Sequence, residues 1–165
     1  MTREQLILAK LLTELYGEEF FGDFEHKFAG RLIAQKSVYL LNKVFKVPLN
    51  YGFSWYLSGP YSPALTTQLY AISKQNPPLG QLGLSKRALS IVERFRRLVS
   101  RCADTKMERA DWLELLASVH FISHFRSLDF TTDTANLTRA VQYNKPKFRS
   151  KQIASAISLL AEISQ

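Results

Sequence analysis

The segment Trp55-Tyr56-Leu57-Ser58-Gly59-Pro60-Tyr61-Ser62-Pro63-Ala64-Leu65 leaves the backbone little conformational freedom. Phe53, Trp55 and Leu57 alternate with Ser54, Tyr56 and Ser58, the period-two pattern of a strand, or of a hairpin around residues 51–58. Gly59 permits a sharp exit from that strand, and the ring of Pro60 keeps Gly59 out of the helical region. Ser62 then suits a helix N-cap. Pro63 suits the first helical position, where a missing N–H costs nothing. Alternation places Trp55 in the core and leaves Tyr56 and Tyr61 as candidates for an exposed aromatic patch.

Most of the remaining chain has helical spacing. Thr2 and Gln5 form a capping box ahead of Leu8, Leu11, Leu12 and Leu15, and Gly17 is a suitable C-cap. Glu18 to Glu25 reads as an acidic linker whose Phe20, Phe21 and Phe24 tuck onto the core. A second helix is expected from about Lys27 to Lys46, ended by Pro48. Its Val38-Tyr39-Leu40-Leu41 run is apolar nearly all round, which marks it as the central helix. The helix after Ser62 should bury Leu65, Leu69 and Ile72, before a loop from Asn76 to Gly83. Ser85 caps a helix to about Arg101. Thr105 and Glu108 read as a second capping box, opening a helix to about Phe125 through Trp112, Leu115, Leu116, Val119 and Ile122. Thr134–Tyr143 is a shorter helix, and Ser150 is expected to cap the last one, with Ile153, Ile157, Leu160 and Ala161 inward. The expected fold class is mainly α: one helical domain over residues 1–165 with one short strand or hairpin, and no internal repeat.

The 165 residues, 46% hydrophobic and 22% charged, suit a globular protein with a continuous core rather than a disordered chain. The N-terminus is polar and then amphipathic, unlike a signal or transit peptide, and no apolar run approaches the roughly 18 residues of a membrane span. One cysteine, Cys102, excludes an internal disulfide framework, and a cytoplasmic location is expected. The formal net charge of +8 is unevenly distributed. Residues 1–26 hold six acids and two bases, whereas residues 27–101 hold twelve bases and one acid, Glu93. Such a basic middle calls for an acidic counterpart: nucleic acid, an acidic protein surface, or the acidic N-terminal helix and linker (residues 2–26) folded against it.

Candidate chemistry is sparse. His120 and His124 have the i, i+4 spacing of two metal-ligating imidazoles, but Phe121 stands where a zinc hydrolase motif has glutamate. Set beside Phe121, Ile122 and Phe125, they read better as core-edge residues, so no metal and no cofactor is expected. Cys102 beside Arg101 has a flank that favours thiolate, yet no cysteine–histidine signature accompanies it, and packing is the simpler reading. Gly80 and Gly83 lack the Lys-Ser/Thr of a phosphate loop. No catalytic residue is assigned, and the chain reads as a non-enzyme. The sharpest binding candidate is segment 85–101, where Arg94, Arg97 and Arg101 share one helical row and Leu89, Val92, Phe95, Leu98 and Val99 supply an apolar side. That row suits phosphates, a solvated face, or pairing with the acids of 14–25.

Ile33-Ala34-Gln35-Lys36-Ser37-Val38-Tyr39 resembles the "L-Q-K-x-x-Y" helix of the YwgA-like proteins and the related Panacea (SocA-like) domain. Trp55–Leu65 resembles their "Y-G-P-x-x-P-x-L" signature; Trp112–Ser118 and Lys145-Pro146-Lys147-Phe148 resemble later helices, so the likeness covers about residues 28–163. The resemblance implies a small helical domain often encoded on phages and mobile elements. It implies an antitoxin-like action, in which a toxin or other protein partner is bound and neutralised, or recruited to a protease. Gln35, Lys36, Gly59 and Pro60 match motif positions, and the resemblance implies that they hold the strand–helix junction against the central helix. On this reading the partner-binding residues are Tyr56, Tyr61, Arg94, Arg97 and Arg101, while Gln35, Lys36, Trp55, Gly59, Pro60, Ser62 and Pro63 are structural. The alternative function is a nucleic-acid-binding regulator that uses the basic helix 85–101.

Overall fold

Two helices whose sequences are apolar on most sides must be surrounded by others, and the computed structural model, which describes residues 1–164, places them at the centre. These are α2 (Phe28–Lys43) and α5 (Arg109–Arg126), which pack most extensively on each other. Every residue from Ala34 to Leu41 of α2 is buried, as is every residue from Trp112 to Val119 of α5. Around this pair stand α1 (Arg3–Tyr16), α3 (Pro63–Gln75), α4 (Lys86–Ser100), α6 (Thr134–Asn144) and α7 (Ser150–Ile163). The only sheet among the described residues is an antiparallel hairpin of β1 (Ser54–Tyr56) and β2 (Gly59–Tyr61), set against α2 and α5. One apolar cluster runs from Leu8 to Leu160. The fold is mainly α, and among the described residues no helix is long and apolar enough to cross a membrane.

Several helix starts follow from local chemistry. The Thr2 hydroxyl accepts from Gln5 N at 3.1 Å while Gln5 Oε1 accepts from Thr2 N at 2.8 Å, a reciprocal box. Ser62 accepts from Leu65 N at 3.2 Å and Ser85 from Ala88 N at 3.1 Å. Between α1 and α2, two 3-10 turns bring Phe21 and Phe24 into the core, where Phe20, Phe21 and Phe24 pack on one another. Trp112 is buried and donates its indole N–H to Leu98 O at 2.9 Å, so its one polar atom is satisfied.

Elsewhere the structure corrects the sequence reading. Helix α2 stops at Lys43 rather than Lys46, because Lys46 adopts a left-handed φ of 60° and the Asn42 amide donates to Val47 O and Leu49 O. Gly59-Pro60-Tyr61 is not an exit from a strand but the second strand of the hairpin, with Trp55 opposite Pro60 and Tyr56 opposite Gly59. Leu57 therefore lies at the turn, 97% exposed, and Trp55 is half-buried rather than fully in the core. Thr105 does not cap α5: its hydroxyl donates back to Cys102 O, Lys106 is left-handed, and Glu108 precedes the helix without a side-chain cap. Ser150 is the first residue of α7, not its cap, and accepts instead from Gln142 of α6 at 2.6 Å. Leu89 of α4 is exposed and Ala161 of α7 is half-buried.

Gly59 is the position where backbone freedom is required. Neither Leu57 nor Ser58 has a positive φ, so the twist of the hairpin falls on Gly59, at +89°. A Cβ there would also lie 2.6 Å from Ser118 Oγ, a buried hydroxyl with no hydrogen-bond partner among the described residues. Gly59→Ala should destabilise the fold by about 1–3 kcal/mol in urea unfolding. Ser118→Ala should be neutral or stabilising, because it removes an unpaired polar atom. The double variant should lose less than Gly59→Ala alone, since the Ser118 Cβ sits at an ordinary 3.8 Å. Equal losses with and without Ser118→Ala would show that the close approach carries no energy.

Candidate functional site

A two-stranded hairpin is marginal by itself, so something must hold this one in place. Two adjacent side chains of α2 do so. Gln35 Nε2 donates to Ser62 O at 2.9 Å, and its Oε1 accepts from Ser62 N at 3.0 Å, so one amide satisfies both backbone groups of one residue. The same Nε2 donates to Thr66 Oγ1 at 2.8 Å, and Thr66 in turn donates to the Tyr61 hydroxyl at 2.6 Å. Lys36, 1% exposed, donates its ammonium to Pro60 O at 2.6 Å. Gln35, Lys36, Pro60 and Ser62 thus meet in one buried network, Gly59 lies buried next to Pro60, and Pro63 is the exposed first residue of α3.

From the other side comes a part of the network that the sequence did not reveal. Lys145, in the connection between α6 and α7, donates to Leu57 O and lies over the Trp55 ring at 5.4 Å. Buried Glu114 of α5 faces these cations, 3.9 Å from Lys145 Nζ and 2.7 Å from Lys147 Nζ, the latter without the alignment of a hydrogen bond. Burial pushes the Lys36 ammonium down to about 8, against the opposing pull of Glu114, and burial likewise lowers Lys145. Lys147 is held above its ordinary value by Glu114 and Asp111, which outweigh its own partial burial. A glutamate inside the apolar run Trp112–Ala117 and a lysine before Pro146 were the available signals.

The hairpin face carries the aromatic candidates. Tyr56 and Tyr61 lie diagonally across the two strands with ring centroids 5.0 Å apart, Tyr56 exposed and Tyr61 half-buried. They border a cleft of about 400 Å³ between the hairpin, α2 and α3, walled by Phe28, Leu32, Leu57, Leu69 and Tyr70. Phe28 is 65% exposed, so the cleft opens beside two apolar side chains standing in water.

The arginine row lies apart from this face, on a helix packed against α1 and α5. Arg94, Arg97 and Arg101 are all exposed. Arg94 covers the Phe45 ring, Arg101 pairs with Asp104 at 2.9 Å, and Arg97 has no ion pair among the described residues. The N-terminal acids are met by other cations: Glu14 by Lys10 and Arg96, and Glu25 by Lys74. His120 accepts or donates at Nδ1 with the Tyr39 hydroxyl at 2.8 Å, and burial lowers its pKa to about 4. His124 stacks on it in parallel, and Cys102 is half-buried. Among the described residues no three His, Cys, Asp or Glu side chains gather as metal ligands. The chain matches no family model, no curated protein and no solved structure.

The buried ammonium has a signature in stability. Lys36 falls from an ordinary 10.5 to about 8 in the fold, so between those values the unfolded chain binds the extra proton. The penalty of holding the charge is complete below pH 8 and relieved as pH rises toward 10.5. The stability of the wild type relative to Lys36→Met should therefore rise across that window in urea titrations. A flat difference would mean that Lys36 is not buried as a cation.

Proposed function

We propose that this chain is a non-enzymatic interaction protein, antitoxin-like in action, that binds a protein partner through the hairpin face and neutralises or recruits it. The resemblance to YwgA-like and Panacea proteins supports a phage or mobile-element setting. The observation that carries the reading is the exposure of Leu57 (97%) and Phe28 (65%) beside Tyr56, on a backbone clamped by buried hydrogen bonds. Apolar side chains held out in water are favourable only when something covers them, and a rigid platform loses little entropy when it binds. A stable interface needs about 1,000 Å² in total, so neighbours of the hairpin take part. A tagged chain should capture a stoichiometric protein from its native host. Tyr56→Ala with Leu57→Asp should abolish capture while leaving stability within about 0.5 kcal/mol, since both residues are exposed. Retention of the partner by that variant, or measurable turnover by the solitary protein, overturns the reading.

A second reading, a nucleic-acid-binding regulator, is favoured by one observation: Arg94, Arg97 and Arg101 point outward while Arg96 takes Glu14. It predicts DNA or RNA affinity that falls with salt, each Arg→Ala change reducing the log–log slope by about 1 without altering sequence preference. Absence of binding at low salt removes it.

A further inference from the structure

The cleft beside the hairpin has largely apolar walls, a few hydroxyl and amide side chains, and charged lining residues of one sign. Arg31 and Lys36 line it, and no aspartate or glutamate does. Arg31 spends Nη1 on Glu25 O at 2.6 Å, which leaves most of its five N–H donors without a partner among the described residues. The Tyr61 hydroxyl accepts from Thr66, so its own proton is free to donate. Tyr56 and Tyr70 line the same cleft, and their hydroxyls make no hydrogen bond among the described residues. Every uncommitted polar group named here can therefore act as a donor. Lys36 is already engaged with Pro60 O, so the cation available to a ligand is Arg31.

We infer that this cleft is a binding site for a small monoanion with an apolar body, a carboxylic acid of medium aliphatic or aryl-alkyl type. The volume of about 400 Å³ falls in the range of small-ligand sites. A single carboxylate matches the two-pronged geometry of one guanidinium, with a phenol as the neighbouring donor. A dianion would leave a second charge facing Phe28, Leu32 and Leu69. The apolar body covers surface of Phe28 and Leu57 that water otherwise wets. Nothing in this requires partner docking, and the site is measured on the isolated chain, so either idea can fail alone.

The test is calorimetric titration of the full chain with octanoate and 3-phenylpropionate, against octanol and octylamine as uncharged and cationic counterparts. At least one carboxylate should bind 1:1, about tenfold or more tighter than its counterparts, as a charged hydrogen bond provides. Arg31→Gln should weaken it about tenfold. Tyr61→Phe, which keeps the ring and the net charge, should weaken it several-fold. Arg139→Gln, a change of equal charge at an exposed position of α6, should leave it unaltered. Saturation by neither carboxylate, octanol binding as tightly as octanoate, or equal losses in Arg31→Gln and Arg139→Gln would each overturn the assignment.

Discussion

The rest of this structure depends on two neighbouring side chains of α2 bonding to backbone they do not belong to. Gln35 takes both the N–H and the C=O of Ser62, and Lys36 takes the C=O of Pro60. Buried main-chain groups left unpaired would each cost about 1–3 kcal/mol, so this clamp allows a two-stranded hairpin to lie against a helical core without a sheet to complete it. With Ser62 fixed, its hydroxyl caps α3. With Pro60 fixed, Gly59 is pressed onto α5 so closely that no side chain fits beside Ser118. The exposure of Tyr56 and Leu57 follows from the same constraint, because a clamped hairpin cannot fold its tip inward.

The electrostatics follow from the geometry. Two buried ammonium groups donate to hairpin carbonyls, and among the described residues Glu114 is the one buried carboxylate set among them. The network is therefore cation-rich at its centre, with Lys147 at its edge supplying the shortest contact to Glu114. At the surface, the acidic N-terminal segment neutralises Arg96 and Lys74 but not the row of Arg94, Arg97 and Arg101. The strong segregation of charge along the chain thus resolves into partial internal pairing and an exposed basic helix face.

Signals that act over three or four residues were legible in the sequence. The Thr2 and Ser62 caps, the Ser85 cap, Pro63 at the first helical position and the buried row Leu65, Leu69, Ile72 all follow from local chemistry. The central place of α2 was legible because Val38–Leu41 has no polar side to turn outward. What failed depended on distant partners. Gly59-Pro60 has the local chemistry of a break, yet it pairs with β1, and bonds from residues 24 to 27 positions away hold the hairpin and the junction after it on the core. Thr105–Glu108 has the letters of a capping box, but the chain turns left-handed at Lys106 and separates them. Glu114 and Lys145 were hidden in an apolar run and a connecting segment. The cleft is assembled from residues spread over 24–70, which no window of the sequence displays together.

The central claim is that the Gln35–Lys36 clamp makes the hairpin part of the cooperative core rather than a mobile flap. Amide hydrogen exchange at Ser62, whose N–H donates to Gln35 Oε1, tests this most directly. The account predicts that the Ser62 amide exchanges only through global unfolding, with a free energy equal to that of the α2 and α5 amides and falling with them as denaturant is added. Exchange of Ser62 at a much lower free energy, insensitive to denaturant while α2 and α5 stay protected, would show the hairpin opening on its own and would contradict the account.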